Sequence, residues 1–211
     1  IEVTLASPDD YRDDNRAAIE LPGLRPLPVE VYSDRPAAWE PLLTASRFLA
    51  PQFRQPAQYT PAGAPGRLVI LDGFAPAVAP DADSMWIALP GAAGRQPARI
   101  RRWNTTHPLA AGLRDKDLRV PSAVRLAVGA SDQVVAESEQ GPILTVSSEG
   151  ARKKILFGFH PLAEGLENHL AIPLLFANLA RWVSPDLFRL AEVTAATPGL
   201  VELEVAEGTR R

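Results

Sequence analysis

Leu68-Val69-Ile70-Leu71-Asp72-Gly73 is the stretch that decides the architecture. A continuous apolar run stopped by an acid and a glycine reads as a parallel strand buried on both faces. Upstream, Val29-Glu30-Val31-Tyr32 reads as a second strand. Trp39, Leu42, Leu43 and Leu49 then share roughly one face of a helix that starts near Pro36 or Pro41. Downstream, Met85-Trp86-Ile87-Ala88-Leu89, closed by Pro90-Gly91, is a third strand. Strand and helix in alternation define an α/β body.

Farther out the pattern changes. Residues 98–113 read as mostly irregular, and from Val120 short strands dominate: Val124-Arg125-Leu126, Val134-Val135-Ala136, Ile143-Leu144-Thr145-Val146 and Lys154-Ile155-Leu156-Phe157. Glu149-Gly150 is a hairpin turn before the last of these. The clearest helix follows, with Ile172, Leu175, Phe176, Leu179, Trp182 and Val183 at helical spacing and Pro173 in the first turn. At the ends, Ile1, Val3 and Leu5 alternate with polar residues, as do Leu200 to Val205 after the Pro198-Gly199 turn. Pro22-Gly23, Pro26 and Pro28 punctuate the chain like a linker. The expected division is a β-hairpin tail of a preceding β-sandwich at 1–27, an α/β domain at 28–184 and a β segment at 185–211. The two ends are expected to pair with each other, since neither buries its apolar face alone.

With 46% hydrophobic and 22% charged residues, the 211-residue chain has the composition of a packed globular protein. Its net charge of −3 argues against generic nucleic-acid binding, which needs a basic surface. The absence of cysteine removes disulfides, Cys-based zinc sites, Fe–S clusters and thiolate nucleophiles. The longest uncharged apolar run, Leu170 to Ala180, is about half of the roughly 20 residues that span a bilayer. The opening Ile1-Glu2-Val3 is unlike a signal peptide and reads as the start of an excised segment.

Candidate sites are few. Ser84, Ser147 and Ser148 lack the glycine-flanked elbow of a hydrolase nucleophile. His107, His160 and His169 form no zinc motif, so no metal site is assigned. Gly91-Ala92-Ala93-Gly94 lacks the features of a phosphate loop and reads as a turn, and Asp9, Asp10, Asp13 and Asp14 lack calcium-loop spacing. Arg95, Arg99, Arg101 and Arg102 beside Trp103 read as a solvated strand face. His107-Pro108-Leu109 with Gly112-Leu113 reads as a rigid structural turn. Because open α/β sheets bind ligands outside the carboxyl ends of their strands, Asp72, His160 and Glu164 are expected to line one vestigial cleft filled by neighbouring side chains, with His107 joining them. No catalytic residue and no cofactor is assigned.

The order and spacing of several of these groups carry a resemblance. Asp14-Asn15-Arg16-Ala17, Leu71-Asp72-Gly73, Trp103 with His107-Pro108-Leu109 and Gly112-Leu113, and Pro173-Leu174-Leu175 with Asn178 and Arg181-Trp182 form the series. Over most of 10–184 the chain resembles the class I glutamine amidotransferase-like domain of bacterial membrane-anchored von Willebrand factor A domain proteins of the aerotolerance type. That resemblance implies a flavodoxin-like three-layer α/β unit between β-sandwich segments, in the extracytoplasmic part of a membrane-anchored protein. Membrane contact would come only through regions outside this sequence.

The enzymatic relatives use a Cys nucleophile with a downstream His and Glu, so His160 and Glu164 here have nothing to activate. The expected function is a non-catalytic binding or scaffolding module of a cell-envelope assembly, with protein partners and without glutaminase activity. The alternative is a hydrolase-like small-molecule or sugar-binding protein of the trehalose-utilisation type, suggested by the similar His-Pro-Leu pattern in those relatives.

Overall fold

The computed structural model describes residues 2–4, 16–18, 26–61, 66–87, 94–114, 118–166, 169–188, 194–197 and 200–202. Its strands are β1 (Glu2–Thr4), β2 (Arg16–Ala18), β3 (Leu27–Tyr32), β4 (Leu49–Arg54), β5 (Leu68–Asp72), β6 (Asp83–Ile87), β7 (Gln96–Trp103), β8 (Arg119–Ala123), β9 (Gln133–Ser138), β10 (Gly141–Glu149), β11 (Arg152–Phe157), β12 (Thr194–Thr197) and β13 (Leu200–Glu202). The helices are α1 (Glu40–Thr44) and α2 (Ala171–Val183), with short 3₁₀ turns elsewhere.

The chain divides into two compact units, Arg25–Leu187 and the two ends, Ile1–Leu24 with Phe188–Arg211. In the terminal unit β1 pairs antiparallel with β2, and β12 with β13. The described strands therefore pair within each end, where pairing between the ends was expected. The acidic stretch Asp9 to Asp14 and the segment Gly91 to Ala93 lie outside the described residues.

The larger unit is built on one nine-stranded mixed sheet in the order β4-β3-β5-β6-β11-β10-β9-β7-β8. The first five strands are parallel, and from β11 onward every neighbour is antiparallel. β5 is buried at all five positions, as its unbroken apolar run requires. The antiparallel half curls back on itself. Ala123 at the end of β8 bridges Phe159 just past β11, and Val124 N–H donates to Gly158 O at 2.7 Å. Gly158 has no side chain because none fits: a Cβ there would stand 2.2 Å from Val124 O.

This architecture corrects the expected flavodoxin-like three-layer fold, since α2 is the single helix longer than five residues among those described. A three-layer unit needs crossover helices on both faces of its sheet. The crossovers from β4 to β5 and from β5 to β6 carry Pro56, Pro61, Pro65, Pro76 and Pro80 instead, and proline interrupts a helix interior. One face is covered by α2, whose Ile172, Leu175, Phe176, Leu179 and Val183 pack into a core shared with Trp39 and Leu43. The other carries a smaller cluster of Tyr32, Val69, Leu71, Ala82 and Trp86, with Tyr59 and Phe74 against it.

Three local expectations also change. The helix expected through Leu49 stops at Thr44, and Leu49 starts an edge strand registered on Leu27. The stretch expected to be irregular from 98 contains the eight-residue β7, whose inward Ala98, Ile100 and Trp103 are buried. Its run of exposed arginines hides the period-two signal. Val124 to Leu126 is not a strand: its N–H groups are used on Gly158 O and Pro142 O at the closure of the curl.

Candidate functional site

The carboxyl ends of the parallel strands bring together a buried polar cluster. β5 ends on Asp72, β3 is followed by Ser33, and the chain leaving β11 reaches His160 within three residues. Because β3, β5, β6 and β11 run parallel, these ends share one sheet edge. Trp39 is delivered from the other side by the 3₁₀ turn Pro36–Ala38, immediately before α1.

Asp72 is the centre. Ser33 Oγ donates to Asp72 Oδ2 at 2.7 Å, and Trp39 Nε1 donates to the same oxygen at 2.9 Å. His160 Nε2 lies 3.1 Å from Asp72 Oδ1. The tautomer follows from the other ring nitrogen: Leu162 N–H donates to His160 Nδ1 at 3.1 Å, so Nδ1 accepts and Nε2 carries the proton toward Asp72. Trp39 is fully buried, its indole 5.7 Å from the His160 ring and 5.9 Å from Phe176 between centroids.

Burial by itself raises the Asp72 carboxyl. The hydrogen bonds from His160, Ser33 and Trp39 outweigh that burial and hold it below the usual carboxylate range. Asp72 is thus an ionised acceptor with both oxygens engaged.

The order of bonds limits the chemistry. In a hydrolase relay the serine proton goes to histidine and the carboxylate sits behind the imidazole. Here the Ser33 hydroxyl donates its hydrogen bond to Asp72, and Ser33 Oγ accepts Arg35 N–H at 3.0 Å. Ser33 is therefore not an activated nucleophile, and neither nitrogen of His160 is left for a substrate.

Of the four residues expected in one cleft, the structure brings Asp72 and His160 into contact. Glu164 lies exposed in the turn after His160, with no bond to the cluster. His107 belongs elsewhere: its Nδ1 accepts Leu109 N–H at 3.2 Å, capping the 3₁₀ turn Pro108–Ala110, and its ring meets Trp182 edge-on at 5.1 Å. Burial pushes the His107 pKa down. Asn178 of α2 clasps the same turn, donating to Leu109 O at 3.0 Å and Ala111 O at 2.7 Å. This explains a buried asparagine on an apolar helix face and fits the reading of His107-Pro108-Leu109 as a structural turn. Sequence reasoning missed Ser33 and Trp39 as members of the Asp72 cluster. The signal for Ser33 was its place at the end of a strand parallel to β5, whereas Trp39 reads as an ordinary core residue of a helix.

Among the described residues no group of three or more His, Asp or Glu is placed to hold a metal, and no helix is long and apolar enough to cross a membrane.

Comparison of the sequence with protein-family models and with curated proteins finds no match. The solved structures similar in fold include the three that follow. Cytoplasmic Protein STM1381 from Salmonella typhimurium LT2 matches with a TM-score of 0.59 at 8% identity, over 74% of this chain and 99% of that one. Cytoplasmic Protein STM3548 from Salmonella typhimurium matches at 0.55 and 8% identity, over 74% and 98%. Agd3, named a novel carbohydrate deacetylase, matches at 0.50 and 8% identity, over 77% of this chain and 32% of that one.

At this identity the likeness is one of fold. The membrane-anchored, cell-envelope setting implied by the sequence resemblance finds no support among these neighbours. The two neighbours matched over nearly their whole length are named as cytoplasmic proteins, and none of the three is named for an amidotransferase-like or von Willebrand factor A-associated domain.

Proposed function

We propose that this chain is a non-catalytic binding or scaffolding module that engages protein partners. The observation that carries the reading is the saturation of the Asp72 cluster. Both carboxylate oxygens and both imidazole nitrogens are used within the protein, at the sheet edge where α/β folds place their ligands. A general base must be within hydrogen-bond reach of a substrate proton, and His160 already spends that capacity on Asp72 and Leu162. The amidotransferase-like resemblance enters through what this chain does not carry: the relatives' chemistry needs a thiolate, and there is no cysteine.

The test is a hydrolysis assay on the 211-residue chain with glutamine, simple esters and acetylated sugars, beside the His160→Ala variant. No turnover above buffer is expected from either protein. Turnover by the wild type that disappears in His160→Ala would replace this reading with a hydrolase. Saturable binding of trehalose abolished by Asp72→Asn would favour the sugar-binding alternative.

A further inference from the structure

The outer face of the β7–β8 pair has an arrangement that folding alone does not reward. Along β7, Ala98 and Ile100 point into the core, so Pro97, Arg99 and Arg101 point out; along β8, Val120 is buried while Arg119 and Pro121 are exposed. Ala98 is registered on Val120, and Arg99 directly on Arg119. Two guanidinium groups thus stand on facing positions of neighbouring strands, an arrangement that is destabilising for like charges.

Among the described residues, Glu137 of β9 is taken up by Arg102 at 2.6 Å, and Glu139 reaches the other arginines from the turn between β9 and β10. Glu139 Oε2 accepts Arg99 N–H at 2.9 Å and lies 4.0 Å from Arg101 Nε. Its own backbone N–H and that of Arg99, and then the Arg101 and Arg99 charges, hold its carboxyl below the usual range. Glu139 therefore shows that a carboxylate is accepted here, and one carboxylate does not neutralise three arginines. Among the described residues the Arg99 and Arg119 guanidinium groups form no ion pair.

We propose that the β7–β8 face, through Arg99, Arg101 and Arg119, docks an extended acidic segment of a partner protein. The proposal rests on the binding-module reading and names its surface and partner chemistry. Spacing supports a peptide: Arg99 and Arg101 are two residues apart on β7, whose irregularity against β9 lies between Ile100 and Arg102, and an extended Glu-x-Glu segment repeats its side chains about every 7 Å. Guanidinium forks suit carboxylates, and the exposed Pro97 and Pro121 offer apolar ground for the residues between. Nucleic acid fits less well. The net charge is −3, and Trp103, the aromatic residue of this strand, is buried and offers no stacking platform.

The experiment measures fluorescence anisotropy of labelled Glu-Val-Glu-Val-Glu-Val on the 211-residue chain. The block isomer Glu-Glu-Glu-Val-Val-Val and a twelve-residue oligothymidylate serve as competitors. The variants are Arg99→Glu/Arg119→Glu and, as a charge-matched control beside the parallel half of the sheet, Arg35→Glu/Arg47→Glu, both checked for unchanged thermal unfolding. The expected result is saturable, salt-sensitive binding of the alternating peptide, weakened about tenfold or more by the first variant and little by the second. If the face variant loses folding stability, Arg101→Gln alone, expected to weaken binding in the same direction, carries the test.

No binding by the wild type, equal loss in the control pair, equal affinity for the block isomer, or preference for the oligonucleotide would each overturn the proposal. Absence of peptide binding together with absence of hydrolysis removes this face and leaves the non-catalytic reading standing. Hydrolysis with intact peptide binding does the reverse.

Discussion

His160 Nε2 and Asp72 Oδ1, brought from positions 88 residues apart in sequence, meet at 3.1 Å at the carboxyl edge of the parallel strands. The contact ties the exit of β11 to the end of β5, and Ser33 and Trp39 tie the same carboxylate to β3 and the approach to α1. A buried, fully partnered carboxylate of this kind fixes how four chain segments meet.

Asp72→Asn leaves shape unchanged but gives one side of the group donors where the His160 N–H needs an acceptor. We expect a loss of about 1–3 kcal/mol, the cost of a buried group left unpaired, read as a lower urea midpoint with unchanged slope. The pH dependence has a definite sign. The folded carboxyl is held below its unfolded value of about 3.9, so its contribution is complete above that value and is lost as pH falls below it through the folded value. Asp72→Asn should flatten the acid limb of the stability profile below roughly pH 4, the ordinary aspartate range. An unchanged limb would remove Asp72 from the account.

Trp39 fills the space beside this carboxylate. Trp39→Ala is expected to cost about 3–5 kcal/mol and to leave a cavity walled by His160 and Phe176 with Asp72 as acceptor. Added indole should raise the melting temperature of this variant more than naphthalene does, because only indole restores the N–H donor. Equal rescue by both compounds would show that the hydrogen bond to Asp72 contributes little.

His107 gives a second pH signature. Burial lowers its folded pKa, so its contribution to stability is present above the unfolded value near 6.5 and is lost as pH falls from there toward the folded value. His107→Asn keeps a side-chain acceptor for Leu109 N–H while removing the titration. Denaturation midpoints between about pH 5 and 7 should then vary less with pH than in the wild type.

Gly158→Ala tests the closure of the antiparallel half. The added methyl would meet Val124 O at 2.2 Å and Ile143 O at 3.2 Å, both backbone atoms that cannot rotate away. A loss of about 3 kcal/mol is expected, at the upper end of overpacking penalties. A chemical-denaturation midpoint within error of wild type would mean that the curl opens without cost.

The β4 edge is blunted, and Pro51 does much of it. Leu27 N–H bonds to Phe48 O and Ser33 N–H to Arg54 O, which turns the even-numbered residues of β4 toward β3 and the odd-numbered ones outward. Of the outward groups, Leu49 N–H bonds to Ser46 O, Gln55 N–H bonds to Gln58 Oε1, and Pro51 has none. Pro51→Val should supply a donor in the middle of an open edge and increase concentration-dependent self-association, measured by light scattering. A monodisperse variant at high concentration would argue that Phe53 and its neighbours already block the edge.

Some of this was legible in the chain itself. The apolar run at 68–71 determines a buried strand, because no half-exposed element tolerates four large apolar residues in succession. The spacing from Ile172 to Val183 determines a helix with one buried face, and Glu149-Gly150 determines a hairpin. These signals are local, set by side-chain period and turn chemistry over a few residues. Only the tertiary structure decided that Leu49 pairs with Leu27 instead of extending a helix, that β8 closes on Phe159, and that Ser33 and Trp39 complete the Asp72 cluster. Each depends on contacts between distant segments, whose free energy comes from burial and hydrogen bonding formed once the whole sheet is assembled and leaves no periodic trace in the sequence.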